Sequence, residues 1–76
     1  MRDAWPPSVA RMLAESVEQI GRADTVRLLQ RTIGQRENGQ VDDLTHVLVD
    51  AMEAEHGSGE VWRRFNRAVD DWLEIA

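Results

Sequence analysis

The chain has 76 residues, a formal net charge of −5 and no cysteine. That length predicts one domain, residues 1–76, near the lower limit for a self-supporting core. The missing cysteines exclude disulfide staples and thiolate chemistry. No run approaches the roughly 18 apolar residues of a membrane span, and the N-terminal "MRDAWPPS" lacks the apolar stretch of a signal peptide. The expectation is a cytoplasmic chain with no membrane partner.

Residues 1–7 read as an extended arm that ends in Pro6 and Pro7. Proline suits the first helical turn, where its missing N–H would have no intrahelical acceptor. From Ser8 the apolar positions Val9, Met12, Leu13, Val17 and Ile20 recur at i, i+3, i+4, which predicts a helix over 8–20 closed by Gly21. Asp24 is positioned to cap a second helix over 25–36. In that helix Val26, Leu29 and Ile33 share a face, and "QRENGQ" supplies the turn that follows. Leu28 falls outside this stripe, beside Arg27 and Arg31.

A third helix is expected over 41–56, with Asp42 and Asp43 complementing its dipole. Val41, Leu44, Val47, Leu48, Ala51 and Met52 form its apolar arc, with Glu55 inside the arc and Val49 beside it. "GSG" at 57–59 is a joint with Ser58 as the expected cap. The fourth helix, 59–75, is the most strongly patterned. Val61, Trp62, Phe65, Ala68, Val69, Trp72, Leu73 and Ala76 share one face and the charged residues lie opposite. Aromatic side chains bury about 150–250 Å² each, so Trp62, Phe65 and Trp72 read as the central column of an all-α bundle of four helices.

Charge is distributed unevenly. Residues 22–36 carry +3, from Arg22, Arg27, Arg31 and Arg36 against Asp24, whereas residues 37–60 carry −7 and no arginine. The nine basic residues are all arginine, the mark of a GC-rich genome. An acidic chain repels phosphate over most of its surface, which argues against a general nucleic-acid binder.

Three constellations bear on chemistry. Asp42, Asp43, His46, Asp50 and Glu53 form an acidic stripe from which Asp42, His46 and Asp50 share a helix face. One helix offers a divalent metal too few ligands, so a solvated acidic face is the expectation, with no metal and no cofactor. "LAESVEQIGRADTVRLLQ" has the outline of a helix-turn-helix, which would place Arg22, Thr25, Arg27, Gln30 and Arg31 in a DNA groove. "DDLTHVLVDAMEAEHG" resembles the second helix of acyl carrier proteins. Asp43 stands where that family's prosthetic-group serine would be, so nothing can be attached there.

With two histidines, no tyrosine and no phosphate loop, no enzyme is expected. The functional expectation is a non-catalytic protein–protein interaction module. It would dock through the acidic face (Asp42, Asp43, His46, Asp50, Glu53) or through a basic and apolar face (Arg22, Arg27, Leu28, Arg31). Small acidic inhibitors and regulators of phages and mobile elements, anti-CRISPR proteins among them, are the analogy. A DNA-binding regulator using residues 22–36 and a homo-oligomeric assembly protein are the alternatives.

Overall fold

A computed structural model of the protein describes residues 5–57 and 59–75. Among them are four helices and no strand: α1 (Pro7–Ile20), α2 (Arg22–Ile33), α3 (Asp43–His56) and α4 (Glu60–Ile75). The all-α bundle is as expected, and the boundaries of α1 and α2 and the start of α3 each have a local chemical cause.

At the start of α1, Pro6 is the cap and Pro7 the first helical residue, so the first turn has few N–H groups to satisfy. Gly21 ends α1 at φ +89°, donating its N–H to the Val17 carbonyl at 3.0 Å. The same glycine starts α2, because its carbonyl accepts from the Thr25 N–H at 3.2 Å and the Thr25 hydroxyl at 2.7 Å. One residue therefore joins two helices. This corrects the expected span 25–36: α2 begins three residues earlier, and Asp24 lies in its first turn rather than capping it. Gly34, left-handed at φ +79°, closes α2 ahead of the expected end, with Gln35 N–H bonded to the Gln30 carbonyl at 2.8 Å.

The α3 helix starts at Asp43, two residues later than expected, because Asp42 is its cap. The Asp42 carboxylate accepts from Thr45 N–H at 3.0 Å, and the Thr45 hydroxyl accepts from Asp42 N–H at 3.3 Å, a reciprocal capping box. Ser58, expected to cap α4, lies outside the described residues, as do residues 1–4 of the expected arm and Ala76.

The core comprises Val9 and Met12 of α1, Leu28, Leu29 and Ile33 of α2, Val49 of α3, and Val61, Phe65 and Val69 of α4. Both α2 and α4 pack on every other helix, whereas no Cα of α1 lies within 8 Å of one in α3. Trp5 spans that gap, its indole stacked on the His46 imidazole with centroids 3.9 Å apart.

This arrangement overturns several expected positions. Leu28 and Val49, read as lying outside the core, are fully buried, because α2 is covered on several sides rather than along one stripe. Leu44 and Val47, read as core, are 51% and 56% exposed. The aromatic column reduces to Phe65. Trp72 packs at the edge of the core and Trp62 is 48% exposed.

Candidate protein-binding face

The acidic stripe is largely committed to holding the fold. Asp42 accepts hydrogen bonds from the Thr45 backbone N–H, the Thr45 hydroxyl and the Gln35 amide, which together hold its carboxyl below the usual carboxylate range. His46, expected on a solvated face, is buried and stacked against Trp5. Glu53 turns toward α4, where its carboxylate accepts from Gly59 N–H and Glu60 N–H at 3.1 Å and from Val61 N–H at 3.4 Å. It thus satisfies the free donors at a helix start, where the dipole favours an anion. Asp50 is half-buried, and of the two exposed carboxylates Asp42 is engaged as the cap, which leaves Asp43 as the exposed member without a capping role.

The basic and apolar set divides in the same way. Leu28 is 2% exposed and serves the core. Arg31 forms a two-pronged pair with Glu37, Nε to Oε2 at 3.2 Å and a terminal nitrogen to Oε1 at 3.1 Å, which raises the guanidinium pKa further. Arg27 is exposed, its Nε only 3.5 Å from where a Cβ on Gly39 would stand. Arg22 is exposed beside a groove of about 490 Å³ lined by Trp5, Leu13, Val17, Val26, Leu29 and Val41. A second open hollow of about 550 Å³ lies between the starts of α1 and α4, bounded by Arg11, Glu15 and Trp62.

The rotation of α3 about its axis is fixed by polar anchors. The Thr45 hydroxyl donates to Gln35 Oε1 at 2.7 Å, His46 lies under Trp5, and Glu53 holds α4. Thr45 and His46 lie four and three positions before Val49, and Glu53 lies four after it, so these residues define the inward face. Leu44, Val47, Ala51 and Ala54 are thereby turned to solvent, with half-buried Leu48 on one margin and Asp43 on the other. Sequence reasoning assigned the first three to the core. The available clue is that α3 carries apolar residues on two faces, and a peripheral helix can bury only one of them.

The hydroxyls of Ser16 and Thr25 bond each other at 2.9 Å, and the Thr32 hydroxyl returns to the Leu28 carbonyl at 2.8 Å, so all three are engaged in fixing local structure. Among the described residues no three His, Asp or Glu side chains converge as metal ligands would, and no helix is long and apolar enough to cross a membrane. No protein-family model matches the chain, and neither a curated protein nor a solved structure shows significant similarity to it.

Proposed function

We propose that the protein is a non-catalytic binding module that docks on another protein through the outward face of α3. The observation that carries this reading is the exposed row Leu44, Val47, Ala51 and Ala54 on a helix whose opposite face is already packed. Apolar side chains aligned at i, i+3, i+7 along a helix are the anchors by which a helix face docks on a partner groove, and charged residues form the rim. Here the rim is acidic, and residues 37–60 carry −7. The fitting partner is therefore a protein surface with an apolar strip bordered by arginine or lysine. Opposite charges would speed encounter and set register more than they raise affinity. Occupying such a surface would inhibit or regulate its owner, in the manner of small acidic phage inhibitors.

The α2 arginines support DNA contact less well. Arg31 is already paired with Glu37, and α2 packs against all three other helices, which leaves only a narrow exposed stripe. A helix read by a DNA groove needs a broader free face.

The test is affinity capture from host lysate, with and without nuclease, comparing wild type, a Leu44→Asp/Val47→Asp variant and an Arg27→Ala/Arg31→Ala variant. Both substituted pairs are exposed, so stability should change by only about 0.5 kcal/mol per site and helicity should be retained. The expected result is one protein retained by wild type and by the arginine variant and lost from the α3 variant. Retention lost only in the arginine variant, or abolished by nuclease, would move function to α2 and nucleic acid.

A further inference from the structure

The exposed row on α3 has a definite spacing. Leu44, Val47, Ala51 and Ala54 are separated by three, four and three residues, the a and d positions of two successive heptads. On the same scheme Asp43 and Asp50 take the g positions, and Leu48 and Glu55 the e positions. The row is about 15 Å long at 1.5 Å per residue. Its first half has bulky side chains and its second half has alanines, so a partner backbone can approach closely where Ala51 and Ala54 leave room.

A seam of this kind fits another helix, and two kinds of helix are available: one from a second copy or one from a different protein. Charge decides between them. Beside the row α3 exposes Asp43 and Glu55, with half-buried Asp50 at the second g position and no arginine, within a segment of −7. Pairing two copies of α3 brings these segments together in either orientation, and like charges beside a coiled-coil seam oppose pairing. We infer that the occupant of the α3 face is a single amphipathic helix of another protein, with large apolar residues at its own a and d positions and lysine or arginine at e and g. This rests on the docking reading above and specifies its partner.

The probe is a synthetic 21-residue helical peptide with leucine at a and d and lysine at e and g, set against its counterpart with glutamate at e and g. Each is titrated into the isotope-labelled protein below the concentration at which the peptide self-associates. The lysine peptide should bind saturably, shifting amide resonances between residues 43 and 55, and binding should weaken with added salt. The glutamate peptide should bind at least about tenfold more weakly. Leu44→Asp/Val47→Asp should abolish binding, and Asp43→Lys/Glu55→Lys should reverse the preference between the two peptides.

The inference is overturned by equal binding of both peptides, by shifts outside α3, or by no binding. It is also overturned if α3 resonances broaden with protein concentration alone, which would identify a second copy as the occupant. If the peptides fail while lysate capture still depends on Leu44 and Val47, the docking face stands and only its helical, basic partner is lost. If capture is also indifferent to those residues, the docking reading itself falls.

Discussion

At the scale of single residues, chemical type alone did not separate fold-holding groups from contact-making ones. Five residues of the acidic stripe have one chemical signature in the sequence. In the folded chain Asp42 caps α3, His46 stacks under Trp5, Glu53 reaches α4, and Asp43 is exposed at the start of the helix. The cap at Asp42 was legible in principle, because aspartate just ahead of a periodic apolar segment is a favoured N-cap residue. The stack of His46 on Trp5 joins positions 41 residues apart and leaves no local trace.

The capping role carries a pH dependence. The Asp42 carboxyl is held low by its bonds from Thr45 and Gln35, and Glu60 is held low by its hydrogen bond from Arg64 and by the charge of nearby Arg63. A carboxyl whose folded pKa is depressed contributes stability that is complete above its unfolded value of about 4. That contribution is lost as pH falls through the lower, folded value. Thermal melts from pH 7 downward should therefore show stability declining below about pH 4. Asparagine caps a helix nearly as well as aspartate but does not titrate. Asp42→Asn should match wild type near neutrality and flatten the acid decline. An unchanged acid limb would show that the cap contributes nothing to it.

At the scale of helices, existence and type were legible and rotation was not. Four periodic segments predicted four helices, since each apolar pattern repeats at helical spacing and glycine or an Asn-Gly turn separates them. The α2 helix began earlier because one glycine ends α1 and starts α2, a sharing that a residue-by-residue search for caps overlooks. The α3 helix was assigned the wrong inward face for a physical reason. Its apolar arc is genuine, but its orientation is set by bonds from Thr45 to Gln35 and from Glu53 to the start of α4, which a hydrophobic pattern does not encode.

The Glu53 contact is the stronger of these joints, because one carboxylate serves donors on three successive residues. Glu53→Ala should destabilise the protein by about 1–2 kcal/mol, the scale of a lost helix cap, measured by urea denaturation. Amide exchange should quicken at Glu60 and Val61 first. A loss confined to α3, with the start of α4 still protected, would contradict this role.

At the scale of the whole molecule, a small chain distributes too few large side chains over four helices to cover every apolar surface. Burial goes first to α2 and α4, which pack on all neighbours. The flanking α1 and α3 keep their Cα atoms more than 8 Å apart, and Trp5, just ahead of α1, stacks on His46 of α3. What remains outside includes Leu44 and Val47 of the α3 row, Trp62 and Leu73; the proposed docking face is the α3 part of that surface. The fold class followed from composition and periodicity. The proposed docking face did not, because its residues are the ones a hydrophobic pattern sends to the core.

Because the sequence contains no cysteine, an introduced thiol reports the exposure of a single α3 position. Single variants Val47→Cys and Val49→Cys would be reacted with a thiol-specific reagent under native conditions, with helicity checked for each. The cysteine introduced at 47 should react at nearly the rate of an unfolded peptide. At 49, where the valine is fully buried, reaction should be slower by orders of magnitude and should accelerate only in denaturant. The reverse order would place the Leu44–Val47 arc in the core and remove the docking face altogether.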